Sequence, residues 1–416
     1  MGRLGRIAGS LAVVVLVILD STPTRRLFAQ NVADSPLILI SLDGFRWDYL
    51  RKAPAPALRR LVERGVRAEG LIPSFPTKTF PNHYTIVTGL TPEHHGIIAN
   101  DIRDPASGRT FAMSKASEVR DSMWWGGEPL WVTAERAGRR AGTMFWPGSE
   151  AAIGGVRPTQ WLPYRESMSG AARVDQVLAW LDLPASKRPL LFTLYFEDTD
   201  SAGHTNGPDS EAVRRAIGHV DGYIARLVRG LERRGLAART NIVVVSDHGM
   251  AATVPKQVIE LDDYISLDDV EVVDINPTLG LFPARGKENV VYRALAAAHP
   301  RLHVYRRQET PEAWHYREHR RIAPIVGVVD EGWQIVRGTV VERAVRAVVP
   351  PRGLHGYVPS VVSMRGILIA AGPAFKQGVT VPAMENVHVY NALATALGVK
   401  PAPNDGDMAV ARRLLR

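Results

Sequence analysis

The sequence predicts an α/β protein with a central, mostly parallel sheet flanked by helices. Residues 37–42, 190–196 and 241–246 are apolar, β-rich runs that read as buried strands, and each is followed by acidic or polar residues. Residues 56–64, 81–89 and 130–137 read as helices between them. In an open α/β sheet the carboxyl ends of parallel strands meet along one edge, where ligands bind. We therefore expect the polar residues behind the strands to converge.

Five short polar clusters lie behind or near the apolar runs. They read Ile-Ser-Leu-Asp-Gly at 40–44, Phe-Pro-Thr-Lys-Thr-Phe-Pro-Asn at 75–82, Asp-Ser-Ala-Gly-His at 200–204, Ser-Asp-His-Gly at 246–249 and Leu-His-Gly at 354–356. If a sheet brings them together, three carboxylates, three imidazoles and one hydroxyl meet. That set of ligands suits two borderline-soft divalent ions such as Zn²⁺.

A pair of metals with one hydroxyl predicts displacement at phosphorus. Two ions about 3.5–4 Å apart hold the attacking and the leaving oxygen and neutralise charge on the phosphoryl group. Thr79 is the best candidate for the nucleophile, because it follows a proline-rich turn at 73–76 and directly precedes Phe80-Pro81, where a helix would start. The N-terminus of that helix would favour an anionic ligand.

The same residues resemble a known family. The chain is similar to the nucleotide pyrophosphatase/phosphodiesterases, the type I phosphodiesterases of the alkaline phosphatase superfamily, from about residue 36 to about residue 397, and most of all to a bacterial member. The most specific stretch reads Ser-Phe-Pro-Thr-Lys-Thr-Phe-Pro-Asn-His-Tyr-Thr-Ile-Val-Thr-Gly at 74–89, followed by His-Gly-Ile-Ile-Ala-Asn at 95–100. The resemblance implies an alkaline-phosphatase-like sandwich with a small α/β insertion.

The resemblance also implies a role for each residue of the site. One zinc ion would be bound by Asp43, Thr79, Asp247 and His248, and the other by Asp200, His204 and His355. A covalent intermediate would form on Thr79, and the amide of Asn100 would help to hold a phosphoryl oxygen. The choice of Asp200 over the neighbouring Asp198 rests on the family pattern Asp-Ser-x-Gly-His.

Similar proteins place a nucleotide in an aromatic slot. Phe80, Trp146, Tyr164 and Tyr195 match positions that line this pocket, with Lys78 and Glu150 as polar contacts. Stacking of a base on an aromatic ring contributes about 1–3 kcal/mol. Without the family, core packing would be the better interpretation of each aromatic residue.

Isolated residues have simpler interpretations. Asp43 before Gly44 is a common turn residue, and His355 alone would be an ordinary loop histidine. His83, one turn into the predicted helix, is interpreted as a packing or hydrogen-bonding residue and not as a metal ligand. A carboxylate and an imidazole at a buried strand end, as at Asp247-His248, are costly unless something binds them.

The reaction class is narrowed by the groups near the nucleophile. A sulfatase would carry x-Pro-x-Arg after its nucleophile, and the arginine is missing after Thr79. A monoesterase adds a cation for further phosphate oxygens, whereas Asn100 is neutral. We therefore predict cleavage of phosphodiester or pyrophosphate bonds of nucleotides, with release of nucleoside 5′-monophosphates. The alternatives are a lipid- or choline-directed phosphodiesterase of the same fold, a phosphomonoesterase and a catalytically silent binding protein.

Composition agrees with an enzyme that acts on small molecules. The 416 residues are 45% hydrophobic, which allows a large core, and carry a formal net charge of 51 − 42 = +9. Arginines are spread along predicted helices such as 212–234, so most of this charge is interpreted as solvated surface. We expect a small nucleotide or diester substrate and no stable complex with nucleic acid.

The N-terminal 29 residues predict export. Arg3 and Arg6 precede an apolar stretch at 7–19, and Leu-Phe-Ala at 27–29 offers a cleavage site for a signal peptidase. The basic pair at 25–26 is less usual after a cleaved signal, so an uncleaved membrane anchor remains the alternative. The chain has no cysteine, and export of such a chain predicts a bacterial periplasmic or secreted location.

The predicted catalytic domain spans residues 30–416. Between about 252 and 350 the pattern changes to short strands at 270–274, 302–306 and 333–337 with one helix at 290–299. We interpret this stretch as a small α/β insertion, after which His355 returns the chain to the site.

Overall fold

The computed structural model describes Gly2 and residues 35–339 and 351–416. The predicted signal peptide or anchor at 1–29 and the end of the predicted insertion lie outside the described residues.

The strands of the described residues are, in chain order, Leu37–Leu42 (β1), Val66–Ala68 (β2), Leu71–Ile72 (β3), Asp101–Arg103 (β4), Thr110–Ala112 (β5), Ala141–Met144 (β6), Gln160–Leu162 (β7), Leu191–Phe196 (β8), Asn241–Val245 (β9), Ala251–Ala252 (β10), Val258–Glu260 (β11), Val270–Ile275 (β12), Thr278–Pro283 (β13), Leu302–Arg306 (β14), Ile325–Val329 (β15), Gln334–Val336 (β16), Gly353–Leu354 (β17), Leu368–Ala371 (β18), Val379–Val381 (β19) and Met384–Glu385 (β20).

Helices connect the strands of the main sheet and pack on its faces. Those of the described residues are Tyr49–Lys52 (α1), Pro56–Arg64 (α2), Thr79–Thr88 (α3), Pro92–His95 (α4), Ala116–Val119 (α5), Leu130–Arg136 (α6), Gly170–Leu181 (α7), Asp198–Asn206 (α8), Glu211–Arg233 (α9), Glu288–Ala296 (α10), Val389–Leu397 (α11) and Met408–Ala411 (α12). None of these helices is both long and apolar enough to cross a membrane.

An eight-stranded sheet with the order β19-β2-β18-β9-β1-β8-β6-β7 forms the centre of the molecule. The strands from β9 to β7 are parallel to one another, while β18 runs antiparallel to both of its neighbours. This arrangement confirms the predicted mostly parallel α/β sheet. It also places the carboxyl ends of β1, β8 and β9 side by side at one edge.

The central strand β1 shows why the sheet lies in the middle. All six of its residues are buried. Leu37 and Leu39 belong to one hydrophobic cluster, whereas Ile38, Ile40 and Leu42 belong to a second cluster on the opposite face. Helices therefore cover both faces, and this explains why the strand is a continuous apolar run and does not alternate with polar residues.

A separate antiparallel sheet with the order β12-β13-β15-β14 lies within the stretch predicted as an insertion. Leu279 and Leu281 of β13, Ile325 of β15 and Leu295 of α10 contribute to a third hydrophobic cluster. This sheet has its own core, which explains the change of sequence pattern after residue 252.

The segment 307–324, between β14 and β15, attaches the second sheet to the main one. The buried Arg321 donates to the carbonyl oxygens of Gly96 and Trp124, at 2.9 and 2.8 Å. Tyr316 donates its hydroxyl to the carbonyl of Ile98 at 2.9 Å, and Trp314 stacks on Phe75 with ring centroids 4.2 Å apart. The second sheet thus supports the chain on both sides of the candidate nucleophile segment.

Strong local patterns gave accurate boundaries. The helix predicted at 56–64 and the strands predicted at 37–42 and 302–306 have those bounds in the structure, and the strand predicted at 190–196 begins one residue later. The helix predicted from Pro81 begins at Thr79, because prolines fit the first turn of a helix, where the backbone N–H groups have no helical acceptor. The short strands β2, β13, β15 and β18 were not predicted, since their placement depends on partners far away in the sequence.

A buried carboxylate tests the contact between the two sheets. The side chain of Asp104 is fully buried and pairs with the exposed Arg320 at 2.7 Å and with the buried Arg321 at 3.4 Å. Hydrogen bonding from Arg320 lowers the pKa of Asp104 well below its usual range. Asp104→Asn should lower the free energy of unfolding at neutral pH by about 2 kcal/mol. This loss is smaller than for a fully buried pair because Arg320 is exposed.

The depressed pKa also fixes the pH dependence of that effect. A carboxyl whose folded pKa lies below its unfolded pKa stabilises the protein fully above the unfolded value, and the stabilisation disappears as the pH falls through the folded value. Urea unfolding should therefore show a difference between wild type and Asp104→Asn that is constant near neutral pH and shrinks below about pH 4. Asp175→Asn, which breaks an exposed pair with Arg226, is the control and should change little. An equal loss in both variants would contradict this role.

Candidate active site

The carboxyl ends of the parallel strands bring the predicted clusters together. Asp43 directly follows β1, and Asp247 lies two residues beyond β9. Asp200 lies in the first turn of α8, which follows β8. Gly44 allows the close approach, because a Cβ at this position would lie 2.9 Å from the Cα of Asp200, and its φ is +63°. The convergence predicted from the sequence is therefore present in the fold.

The first group of side chains surrounds Nε2 of His248. This nitrogen lies 3.0 Å from Oδ2 of Asp247 and 3.4 Å from Oδ1 of Asp43. Oγ1 of Thr79 is 3.3 Å away. All four residues are buried, so one small hollow holds the side chains that the resemblance assigns to the first ion.

The second group surrounds Oδ1 of Asp200. Nε2 of His204 lies 3.4 Å from this oxygen and Nε2 of His355 lies 3.6 Å from it. Asp200 and His204 are four residues apart on α8 and therefore share one face of the helix. The rings of His355 and His248 stack with centroids 3.5 Å apart, so the two groups are adjacent. All seven predicted side chains thus meet in one place.

The three imidazoles are oriented by backbone carbonyls. In each ring Nδ1 lies 2.9 Å from a carbonyl oxygen, and this contact leaves Nε2 facing the hollow. Such contacts fix the tautomer and the direction of metal-binding histidines. The pairs are His204 with Gly353, His248 with Gly249 and His355 with Thr77.

The carboxylates show that these residues fit a bound cation. Oδ1 of Asp43, Oδ1 of Asp200 and Oδ2 of Asp247 are buried and have no hydrogen-bond partner among the described residues. Each of these oxygens faces the Nε2 atoms that the carbonyl contacts leave as acceptors. Buried acceptors that face each other are costly unless a cation lies among them. Carboxylate and imidazole ligands of this kind suit zinc.

The pKa values of Asp43 and Asp200 are shifted in opposite directions. Burial, and then the charges of Asp247 and Asp200, raise the pKa of Asp43 well above its usual value. Burial would also raise the pKa of Asp200, but His204 and His355 outweigh it and lower that pKa to about 2. A bound cation would oppose the rise at Asp43, because it favours the ionised form of that carboxyl group.

Burial lowers the pKa of both His355 and His248, but their neighbours make the net shifts opposite. For His355, burial and then the neighbouring His248 lower the pKa well below its usual value. For His248, burial is outweighed by Asp247, and the pKa is raised. The charge of Asp247 thus favours the protonated form of His248, whereas burial and the charge of His248 disfavour the protonated form of His355.

A further buried histidine, His83, lies beside the first group. Its Nδ1 is 2.9 Å from the carbonyl oxygen of Thr79 and 3.3 Å from Oδ2 of Asp247. Its Nε2 is 2.7 Å from Oγ of Ser41. Asp43, His83 and Asp247 could also be grouped as a metal site by distance alone. Because both ring nitrogens of His83 have protein partners, we retain the interpretation of His83 as a hydrogen-bonding residue and not as a metal ligand.

Thr79 is the first residue of α3 and projects its hydroxyl into the hollow. The side-chain oxygen of Asn100 accepts a hydrogen bond from the backbone N–H of Phe80 at 3.0 Å. This contact fixes Asn100 beside the helix start and leaves its amide nitrogen as a donor. The helix N-terminus and the amide nitrogen are hydrogen-bond donors close to the start of α3.

Three of the predicted aromatic residues line an accessible wall. Tyr164 is 45% exposed, and its ring centroid lies 6.2 Å from that of Tyr195. Phe80 is partly buried and contacts Phe111 and Trp125 edge-on or tilted. These rings offer apolar faces at the rim of the site.

The other three predicted substrate contacts have protein partners. Trp146 is only 2% exposed and donates its indole N–H to the carbonyl of His83 at 3.1 Å, so it packs in the core. Glu150 pairs with Arg120 at 2.9 Å and accepts the backbone N–H of Tyr164 at 2.9 Å. Lys78 pairs with Asp274 at 2.6 Å. These protein contacts compensate the burial of the three polar groups, and contact of these residues with a substrate stays a prediction.

Sequence reasoning missed the supporting contacts of the site. The hydroxyl of Tyr195 donates to Oδ2 of Asp43 at 2.7 Å, although Tyr195 was considered only as a pocket residue. Asp274, which holds Lys78, was not considered at all. Tyr195 at the adjacent position of the neighbouring strand was a usable signal, whereas nothing local marked Asp274.

Comparisons with known proteins agree with this geometry. The profile of the family described as type I phosphodiesterase / nucleotide pyrophosphatase matches residues 37–357. The chain is 36% identical over 394 residues to ectonucleotide pyrophosphatase/phosphodiesterase family member 5 of Homo sapiens, covering 94% of this chain and 80% of the human protein. It is also 36% identical over 387 residues to a bis(5′-adenosyl)-triphosphatase of Xenopus laevis, covering 92% of this chain and 82% of that protein.

A solved structure shares the fold. Murine ectonucleotide pyrophosphatase/phosphodiesterase 5, an inactive threonine-to-alanine variant in complex with AMP, superposes with a TM-score of 0.87 at 38% identity. The match covers 92% of this chain and 100% of the murine chain. This likeness confirms the predicted alkaline-phosphatase-like sandwich.

The contact between Tyr195 and Asp43 gives a prediction on metal binding. Tyr195→Phe removes the hydroxyl that orients the Asp43 carboxylate, and it should weaken Zn²⁺ binding by about tenfold. The measurement is competition with a chromogenic chelator, starting from chelator-stripped protein. Tyr223→Phe is the matched control, because Tyr223 donates to Asp198, outside the two groups, at 3.4 Å. Equal affinity in Tyr195→Phe and wild type would rule out this orienting role.

Proposed function

The chain belongs to the type I phosphodiesterase / nucleotide pyrophosphatase family, and from this membership we propose that it uses two zinc ions and a covalent phospho-threonine to release nucleoside 5′-monophosphates. The general activity, hydrolysis of phosphodiester or pyrophosphate bonds of nucleotides, follows from the family. Zinc, the number of ions and the intermediate are the finer parts of the proposal.

One observation carries the proposal. Three buried carboxylate oxygens without hydrogen-bond partners face three imidazoles, and a threonine hydroxyl lies 3.3 Å from one of those imidazoles. Only positive charge compensates the carboxylates in such a hollow, and the threonine hydroxyl lies at the edge of the hollow. A nucleophile beside a pair of cation sites is the arrangement that phosphoryl transfer needs.

Bound divalent ions would neutralise phosphoryl charge and lower the pKa of a nearby hydroxyl. In the first group Asp43, Thr79, Asp247 and His248 would hold one ion, and in the second group Asp200, His204 and His355 would hold the other. The protein residues position the reaction. Asn100 donates its amide to a phosphoryl oxygen, and the N-terminus of α3 directs backbone dipoles at the same group.

The proposed reaction has two displacements at phosphorus. Oγ1 of Thr79 loses its proton and attacks phosphorus, forming the bond between threonine oxygen and phosphorus while the bond to the leaving alcohol or phosphate breaks. A water molecule then attacks the same phosphorus and breaks the bond to Thr79, which recovers a proton. The product is a nucleoside 5′-monophosphate, and the hydroxyl is regenerated.

The relatives support a nucleotide as substrate. The murine relative binds AMP in a threonine-to-alanine variant that is inactive, and the Xenopus relative is a bis(5′-adenosyl)-triphosphatase. In this chain, Phe80, Tyr164 and Tyr195 would face the base. We also propose that the protein acts outside the cytoplasm, as the N-terminal sequence pattern predicts.

Replacement of the nucleophile is the direct test. Thr79→Ala should reduce hydrolysis of the p-nitrophenyl ester of thymidine 5′-monophosphate by at least about a thousandfold, because the covalent route is lost. Zinc content, measured on the same protein, should fall little, since six of the seven proposed ligands remain. Normal turnover by Thr79→Ala would disprove the assignment of the nucleophile.

Thr79→Ser is the matched control, because it keeps the hydroxyl at the start of α3. This variant should retain measurable turnover. It should also become labelled when it is quenched during hydrolysis of a ³²P-labelled diester, whereas Thr79→Ala should not. Absence of label in both wild type and Thr79→Ser would argue against the covalent intermediate.

A panel of substrates tests the reaction class. The value of kcat/KM for the p-nitrophenyl ester of thymidine 5′-monophosphate should exceed that for p-nitrophenyl phosphate by at least about tenfold, because Asn100 supplies no charge for an additional phosphoryl oxygen. Bis(p-nitrophenyl) phosphate and p-nitrophenyl phosphorylcholine complete the panel. A faster rate with the choline ester than with the nucleotide would favour the lipid-directed alternative.

A further inference from the structure

The second sheet reaches the active site through the hairpin of β12 and β13. Nζ of Lys78 donates to Oδ1 of Asp274, in β12, at 2.6 Å. Thr278, in β13, donates its hydroxyl to Oδ2 of the same carboxylate at 2.7 Å. Only 6% of the Lys78 side chain and 13% of the Asp274 side chain are exposed. Asp274 is therefore held from two sides, and it fixes the ammonium group.

The lysine of this ion pair adjoins the candidate nucleophile in the chain and the His355 segment in space. Lys78 immediately precedes Thr79 and caps α3. Gly356, which follows His355, lies so near that a Cβ on it would be 3.2 Å from Cε of Lys78 and 2.7 Å from Cδ of Pro277. The lysine stem thus passes between the nucleophile segment, the His355 segment and the tip of the hairpin.

A further carboxylate shares this neighbourhood. Asp101 follows Asn100 and begins β4. Burial and the charge of Asp274 raise the pKa of Asp101, while the charge of Lys78 lowers it. Both charges therefore act on a carboxylate whose chain neighbour, Asn100, accepts from the backbone N–H of Phe80.

We infer that Asp274 is a specificity-determining residue, because it neutralises the ammonium of Lys78 beside Thr79 and so restricts the site to phosphoryl groups that carry a single negative charge. This inference rests on the proposed function and adds the reason for its preference among phosphate esters. Diesters and the nucleoside-linked phosphoryl group of a pyrophosphate carry one charge, whereas a monoester carries about two at neutral pH.

The physical reason is that Asp274 and a phosphoryl group would compete for the ammonium group of Lys78. An unpaired ammonium beside the phosphoryl group would stabilise the second negative charge of a monoester by a charge-assisted hydrogen bond. Asp274 already supplies that interaction, and separating the pair would leave a largely buried carboxylate without its partner. Lys78 therefore gives no extra binding to the dianion, and the charge of Asp274 repels it.

The experiment removes the charge of Asp274 and measures substrate preference. Asp274→Asn keeps the shape and an oxygen that can accept from Thr278, but it frees the ammonium of Lys78. The ratio of kcat/KM for p-nitrophenyl phosphate to that for the p-nitrophenyl ester of thymidine 5′-monophosphate should rise by about fivefold to tenfold. Inhibition of diester hydrolysis by AMP, a dianionic product, should strengthen by a similar factor.

Glu271→Gln is the matched control. Glu271 lies three residues earlier in β12 and pairs with Arg103 at 2.8 Å, so this variant also removes one carboxylate charge and one ion pair from the same strand. It does not touch Lys78, and the substrate ratio should stay at the wild-type value. A similar rise in Glu271→Gln would mean that the overall charge of the hairpin, and not Asp274, sets the preference.

The double variant Lys78→Gln/Asp274→Asn gives a second test that does not leave a buried charge unpaired. If Asp274 acts by neutralising Lys78, the double variant should return to near the wild-type ratio. If Lys78 instead binds the substrate itself and Asp274 is only a structural contact, the double variant should show the lower ratio of Lys78→Gln alone. That second result would overturn the inference, even where Asp274→Asn folds poorly.

The two proposals fail in distinguishable ways. Wild-type protein that hydrolyses no diester would disprove the proposed function before any variant is compared. Wild-type protein that hydrolyses diesters, together with an unchanged ratio in Asp274→Asn, would disprove only the inference. An equal loss of both activities in Asp274→Asn would also disprove it, because a purely structural contact predicts that result.

Discussion

The active site depends on the burial of three carboxylates in one hollow. Asp43, Asp200 and Asp247 have inward oxygens with no hydrogen-bond partner among the described residues, and burial, followed by the charges of Asp247 and Asp200, raises the pKa of Asp43 well above its usual value. Water cannot stabilise these charges, so positive charge must come from imidazolium or from bound cations. The surrounding structure, including the orientation of the histidines and the start of α3, holds this cluster in position.

Two sheets position the residues of this cluster and of its surroundings. The main parallel sheet fixes the carboxylates, because its central strands are buried on both faces and tolerate little movement. The antiparallel sheet holds the opposite wall, with Arg321 bound to the carbonyls of Gly96 and Trp124 and with Asp274 bound to Lys78. What the sequence marks as an insertion therefore contacts the segment of the candidate nucleophile, through the pair of Asp274 and Lys78.

The supporting contacts divide the predicted pocket into two classes. Phe80, Tyr164 and Tyr195 present partly exposed rings, whereas Trp146, Glu150 and Lys78 are committed to partners in the protein. Tyr195 also belongs to the metal side, since its hydroxyl orients Asp43. Tyr195 thus contacts both Tyr164 and Asp43, one of the proposed cation ligands.

The sequence by itself determined the mostly parallel sheet, the boundaries of strongly patterned elements such as 37–42 and 56–64, and the seven side chains that meet at the strand ends. These features depend on local periodicity and on short motifs, which a linear chain displays directly. Only the tertiary structure decided the partners of those side chains, such as Tyr195 for Asp43 and Asp274 for Lys78. Asp274 lies 196 residues from Lys78, and such a pairing is set by how two sheets pack, a distance in space that no local pattern encodes.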